Sequence, residues 1–247
     1  MSMRNLFTPF LFFAIFCGHA QPVSKIKGIS AESKTAKSGN HYTIFDKGKN
    51  KIKFTITRPN VKDTNLFLCI AAAFTDLNTG KVDGAYAVDG KIGNAIPNRR
   101  LGGTIQLMYS IYSIQPMDTN SVKKLNPKLQ GEIEINKESF FQQIQLIING
   151  KAEKFKDDKL FQRRAIVTFM NSKTRRVDRL AIIESKEPIT LAAFSNDLVE
   201  LGAFNALYTD MGDWDEGWYR DNTGKIISIG TSKSQTAKQS NWIIFQK

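Results

Sequence analysis

The stretch Thr190-Leu-Ala-Ala-Phe-Ser-Asn-Asp-Leu-Val-Glu-Leu-Gly202, followed by Ala206-Leu-Tyr-Thr209, sets the fold class. Leu191, Phe194, Leu198 and Leu201 recur at three- and four-residue intervals, which places them on one stripe of a helix. Gly202 ends that helix, because glycine adopts the left-handed conformation that closes a last turn. Ala206–Thr209 then reads as a short strand. No other segment has so clear a helical period. The remainder alternates or runs apolar in strand-sized pieces, so the expected architecture is α+β, a twisted mixed β-sheet core with few helices packed on it.

Working outward, 42–45 and 51–57 read as the arms of a hairpin turning at Asp46–Asn50. Asn65–Phe74 is a continuous apolar run, as expected of a strand covered on both faces. Asp89-Gly90 marks a tight turn between 86–88 and 91–92, and 104–114 is a further strand. Residues 118–131 read as a surface excursion and 132–136 as an alternating strand, while 140–148 is apolar and ambiguous in type. Strands are expected at 164–169 and 180–184, joined by the polar turn 171–176, and at 217–220, 225–229 and 241–245.

The chain has 247 residues, 41% of them hydrophobic, enough for a substantial core. It opens with Arg4, an apolar run from Leu6 to Phe16, and the small-residue site Gly18-His19-Ala20. This is the pattern of a signal peptide over 1–20 cleaved after Ala20, which implies a secreted or periplasmic protein. The run falls short of the roughly 20 residues a membrane span needs, and no other segment could cross a bilayer. Lipoprotein anchoring at Cys17 is the less favoured alternative, since Phe16 precedes it. A mobile polar leader is expected over 21–40 and a single domain over 41–247.

Beyond the signal, Cys69 and His41 are the only residues of their kinds. One cysteine excludes an internal disulfide framework, and Cys69 is expected to be a buried small hydrophobe. One histidine excludes a His-rich zinc site and leaves little room for a Ser-His-Asp triad. The net charge is +12, with ten Lys/Arg between Lys25 and Lys62 and a second basic zone over 151–180. Such a field favours anionic partners, including anionic glycans. The basic segments lack the interleaved aromatics of a single-strand groove, and no specific nucleic-acid motif is present.

Chemistry concentrates after the helix. Asp210, Asp213, Asp215 and Glu216 crowd into seven residues, interleaved with Trp214, Trp218 and Tyr219. Carboxylates carry proton and nucleophile work, and aromatic faces stack on sugar rings. Crowded acids raise one another's pKa, so one of Asp213, Asp215 and Glu216 could stay protonated and serve as an acid. The same oxygens suit a hard cation, so Ca²⁺ is an alternative occupant, although the spacing is not that of a calcium loop.

The order of pieces resembles the phosphodiester glycosidase family. In that family a buried strand ends in an Asn-Ala-Gly-Phe-Phe-type motif followed by an x-Asp-Gly-Lys turn. Cys69-Ile-Ala-Ala-Ala-Phe74 and Val88-Asp-Gly-Lys91 hold those places here. Arg163-Arg-Ala-Ile-Val-Thr168 is similar to the family's Arg-Thr-Ala-Ile-Gly strand, and Ala206-Leu-Tyr-Thr-Asp-Met-Gly-Asp-Trp214 to its Ala-Leu-Asn-Leu-Asp-Gly-Gly-Gly-Ser segment. The resemblance covers residues 67–247 and implies a hydrolase that cuts a sugar from a sugar-phosphate diester. It implies Arg164 as the phosphate-binding arginine with Arg163 as helper, Asp210 as nucleophile, base or stabiliser, and Gly212 in the glycine turn. The chain departs from the pattern at Ala71, where the family has asparagine, and at Ala165, Met211 and Trp214-Asp215. A catalytically silent carbohydrate- or phosphoglycan-binding module on the same scaffold therefore stays open, as does a basic polyanion-binding envelope protein.

Overall fold

The computed structural model describes residues 28–108, 111–230 and 234–247. The signal peptide expected over 1–20 and the first part of the leader lie outside the described residues. Among those residues the chain forms three large antiparallel sheets, one two-stranded ribbon and two α-helices.

The largest sheet has seven strands in the order Ala31–Thr35, His41–Asp46, Val177–Ser185, Arg164–Met170, Asn205–Tyr208, Gln145–Ile148 and Lys151–Ala152. A second runs Ile111–Pro116, Gly103–Met108, Ser139–Gln143, Tyr86–Val88, Lys91–Asn94. A third runs Ile226–Ile229, Gly217–Arg220, Leu66–Ala71, Trp242–Gln246, Lys51–Thr55. The three meet in a central core. Phe45, Ile166, Leu180, Ile182 and Leu207 come from the first, Ile105 and Phe141 from the second, and Phe54, Leu68, Ile70 and Phe245 from the third. Each such side chain removed from water contributes about 1.5–3 kcal/mol.

The alternate residues of the seven-stranded sheet, Ile44, Ala165, Val167, Ile183 and Ala206, face the other way and pack on Leu191, Phe194 and Leu198 of helix Leu191–Glu200. The stripe read from the sequence is the stripe that is buried, and Thr190 caps the helix through the amide of Ala193 at 3.1 Å.

Several expectations change. Every strand pairing described is antiparallel, so the core is not mixed. Leu66–Ala71 is buried throughout, as its unbroken apolar run requires. On its second face Leu66 and Cys69 pack beside Trp218, Trp242 and Ile244 of the two flanking strands. The hairpin at 46–50 does not form as a pair: His41–Asp46 joins the first sheet and Lys51–Thr55 the third. The alternation at 132–136 belongs to a helix, Pro127–Asn136, nucleated by the Asn126 cap and by proline in its first turn. The leader ends earlier than residue 40. Ala31–Thr35 is an edge strand registered on His41–Phe45, and its side chains are all exposed, which is why its composition reads as solvent-facing.

Candidate functional site

The strand ends place the acidic loop. Ala165 pairs with Tyr208, and the Thr209 amide donates to the Arg164 carbonyl at 3.0 Å. The Asp210 amide then donates to the carbonyl of Ala72, just beyond the fully buried strand of the third sheet, at 2.9 Å. The chain returns at Gly217–Arg220, where Trp218 pairs with Cys69. Residues 211–216 therefore bridge two sheets, and Arg164 lies beneath the bridge.

Arg164 is fully buried. It holds Asp215 in a two-pronged pair, Nη1 to Oδ1 at 2.9 Å and Nη2 to Oδ2 at 2.7 Å, and its Nε donates to Glu184 Oε2 at 2.6 Å. Burial disfavours its charge, but Asp215 and Glu184 outweigh burial and the guanidinium pKa rises. Asp215 also accepts from the Ala71 amide at 3.2 Å, at the position where the resembling family has asparagine. Gly230, at φ 86°, closes over this pair; a Cβ there would lie 2.6 Å from Asp215 Oδ2. Both side chains are buried, and Arg164 directs its charged atoms at Asp215 and Glu184. Glu216 is likewise occupied, paired with Arg58, which also donates to the Thr236 carbonyl at 2.7 Å. Trp218 is core, and Tyr219 packs on Phe45 with ring centroids 5.0 Å apart, so neither offers a free stacking face. The physical reason is alternation along Gly217–Arg220, which sends Trp218 into the cluster with Cys69 and Trp242 and turns the partly buried Tyr219 toward the central core.

Asp210, Gly212, Asp213 and Trp214 do converge. With Phe74, Thr75, Leu77, Asp83 and Met211 they line a cleft of about 490 Å³. Asp210 is half-buried there, and its carboxyl is pushed up to about 7 by desolvation first and by the neighbouring Asp215 second. The amides of Met211 and Thr75 and the charge of Arg164 pull the other way without prevailing. Arg164 so acts on Asp210 through the field, from below, although it never enters the cleft.

Asp83 is the residue that sequence reading missed. It follows the ribbon strand Lys81–Val82, its amide donates to the Phe74 carbonyl at 2.8 Å, and its Oδ2 accepts from Asn98 at 2.7 Å. The available signal was a second Asp-Gly pair upstream of Asp89-Gly90. Gly84 there has φ 80°, and a Cβ would lie 2.7 Å from Gln142 Oε1. Asp89, by contrast, is exposed and pairs with Lys53 at 2.9 Å.

Phe74, Met211 and Gly212 also wall an adjoining cleft of about 350 Å³ that contains Arg163, Tyr208, Phe161 and Gln162. Arg163 is held by Asp157 at 3.1 Å and by the carbonyls of Lys159 and Ile189, and its guanidinium lies 5.9 Å from the Tyr208 ring centroid. Burial raises the Tyr208 pKa, and Arg163 opposes it. Among the described residues no group of three or more His, Cys, Asp and Glu side chains is placed to hold a metal ion, because Asp215 and Glu216 are turned onto arginines. No described helix is long and apolar enough to cross a membrane.

At the level of the fold these features define a sheet-rich scaffold with two helices and a carboxylate-lined cleft where the chain passes between sheets. It is similar to the catalytic domain of zebrafish N-acetylglucosamine-1-phosphodiester alpha-N-acetylglucosaminidase, auto-inhibited by its pro-peptide in that structure, at TM-score 0.55 and 13% identity over 89% of this chain and 82% of that one. It is also similar to a hypothetical protein from Synechocystis, at TM-score 0.54 and 12% identity over 89% of this chain and 62% of that one. At such identities the likeness is one of fold. No protein-family model matches the chain, and no curated protein sequence matches it.

Proposed function

We propose that the chain is a glycan-directed hydrolase that cuts a sugar from a sugar-phosphate diester, with Asp210 as proton donor and Asp83 as the second carboxylate. The observation that carries this reading is the pairing of Asp210 and Asp83 in one cleft that opens, past Met211 and Gly212, toward a buried arginine. The neighbouring fold is that of an enzyme whose name specifies such a diester. Export is supported by the apolar run Leu6–Phe16 and the small residues before Gln21.

In this reading the bond from the anomeric carbon to the bridging oxygen breaks. The electron pair leaves with the phosphate, and the bridging oxygen takes the Asp210 proton. Asp83 faces the positive charge that develops on the sugar ring, and water adds at the anomeric carbon with loss of a proton to a carboxylate. Arg163, buried but walling the adjoining cleft, takes the place the resemblance gave to Arg164, since a guanidinium can meet two phosphate oxygens. A carboxyl with a pKa near 7 is about half protonated at neutral pH, which suits a general acid.

The test is release of reducing sugar from an N-acetylglucosamine 1-phosphodiester. Asp210→Asn is expected to lower kcat by about 100-fold or more, and Arg163→Ala to act mainly on KM. Wild-type activity that survives Asp210→Asn and Asp83→Asn unchanged would overturn the assignment. Binding without turnover is the second reading, favoured by the sequestration of Arg164 by Asp215 and Glu184. It predicts wild-type affinity for the same diester with no sugar released.

A further inference from the structure

The Asp210 cleft continues in the other direction as well. Leu77 and Trp214 are shared with a third cleft, of about 540 Å³, whose remaining walls are Gly80, Ala237, Lys238 and Gln239. Nothing in the proposed reaction uses this space, and its size falls within the range of about 300–1,000 Å³ typical of small-molecule sites. Its chemistry is specific. The Lys238 ammonium lies over the Trp214 ring, 5.5 Å from the centroid, on an exposed side chain. Gln239 is 96% buried; its amide nitrogen donates to the Asn241 carbonyl, which fixes the orientation of the amide and leaves Oε1 as an acceptor without a partner. Gln239 lines the cleft, and its buried acceptor without a partner suits a hydroxyl or N–H donor.

The Arg163 cleft also holds its partner Asp157, the carboxylates Asp83, Asp210 and Asp213 line the middle, and the Lys238 ammonium stands at the far end. A ligand suited to that order places a hydroxyl-rich unit against the carboxylates and an anionic group toward Lys238. A diester capped by a single neutral sugar would fill the first two compartments and leave the third unused.

We infer that the trough binds a polyanionic glycan extended by at least one acidic sugar unit beyond the one at Asp210, with Trp214, Lys238 and Gln239 as the distal subsite. This rests on the reading of the Asp210 cleft as a sugar site, and it extends the substrate from a capped diester to one whose sugar belongs to a longer acidic chain.

The experiment is calorimetric binding of N-acetylglucosamine, chitotetraose and a hyaluronan tetrasaccharide to the full chain and to its Asp210→Asn, Lys238→Ala and Gln239→Leu variants. The expected order of affinity is hyaluronan tetrasaccharide over chitotetraose over monosaccharide. Lys238→Ala is expected to weaken the hyaluronan tetrasaccharide about five- to tenfold, to bring it level with chitotetraose and to leave the monosaccharide unchanged. Gln239→Leu is expected to weaken both tetrasaccharides equally. Monosaccharide binding with tetrasaccharide affinities no greater, or indifferent to Lys238 and Gln239, overturns the distal subsite and leaves the Asp210 reading standing. No binding of any of the three sugars overturns the distal subsite, and the Asp210 reading is then decided separately by release of sugar from the N-acetylglucosamine 1-phosphodiester.

Discussion

Arg164 and Asp215 form a sealed ion pair, with side-chain exposures of 0% and 1%, and the pair joins a strand of the seven-stranded sheet to the loop that enters the third sheet. Glu184 completes it at 2.6 Å from Nε. Burial raises the Asp210 carboxyl first and the neighbouring Asp215 second, while the Arg164 charge opposes both. The arginine that looks catalytic in sequence thus works as a strut, and its partners tune the residue above.

Removing the strut leaves two buried carboxylates without a cation. Breaking such a pair from one side typically costs about 3–5 kcal/mol. Arg164→Met is therefore expected to lower the free energy of urea unfolding by that amount at neutral pH. A loss below about 1 kcal/mol would mean that the carboxylates find water or protons instead. Asp215→Asn is expected to lower the Asp210 pKa, so that activity is lost at lower pH on the alkaline limb than in wild type.

Asp210 links stability to pH. Its native carboxyl sits near 7 against 3.8 when unfolded, so between those values the folded state holds a proton that the unfolded state has lost. Stability from this group is complete below about pH 4 and is lost as pH rises through about 7. Asparagine mimics the protonated form at every pH. Asp210→Asn is expected to unfold like wild type at pH 4 and to be more stable by up to about 4 kcal/mol at pH 8. Urea titrations at pH 4, 6 and 8 that give one constant difference would contradict the assignment.

The strands and the Leu191–Glu200 helix were legible because period and burial coincide: one apolar stripe faces one sheet, and Leu66–Ala71 is apolar because both its faces are covered. The sheet partners were not legible. Nothing in the Asp46–Asn50 turn says that its two arms leave for different sheets, since partner choice is decided by long-range packing around Phe45 and Phe54. In the site, Asp210, Gly212, Asp213 and Trp214 could be read from crowding of acids and aromatics. Crowding could not tell Asp215, turned inward onto Arg164, from Asp213 at the cleft. Asp83 escaped because it is remote in sequence and reaches the cleft only through the Phe74 carbonyl.

The two tryptophans of the loop region should separate cleanly. Trp218 is 5% exposed among Cys69, Trp242 and Ile244, so Trp218→Ala is expected to cost about 3–5 kcal/mol by the cavity it leaves. Trp214 is half-buried at the junction of two clefts, and Trp214→Ala is expected to cost less than about 1 kcal/mol while weakening sugar binding. Denaturation midpoints and oligosaccharide titration of the two variants check both halves. Equal destabilisation would place Trp214 in the core.

The edge strand Ala31–Thr35 makes a last prediction possible, because burial does not hold it. All five of its residues are exposed, yet the turn that follows is tied to the helix. Asp197 accepts from Ser38 Oγ and Asn40 Nδ2, each at 2.8 Å, and from Tyr42 Oη at 2.5 Å, and Glu200 accepts from the Lys37 amide at 2.9 and 3.0 Å. Burial and Asp197 together drive the Tyr42 pKa upward, so the phenol remains a donor throughout the neutral range. Asp197→Ala leaves three donors without an acceptor, each a hydrogen bond to a charged group worth about 1.5–3 kcal/mol. Water reaches Ser38 and Asn40 at the turn but not Tyr42, so the net loss should fall near the value for the one buried bond. Amide exchange over 31–35 should speed up by more than about tenfold, with the central strand Arg164–Met170 slowed or quickened only as global stability changes. Uniform acceleration across both segments would show that the contact supports the whole fold and not the edge alone.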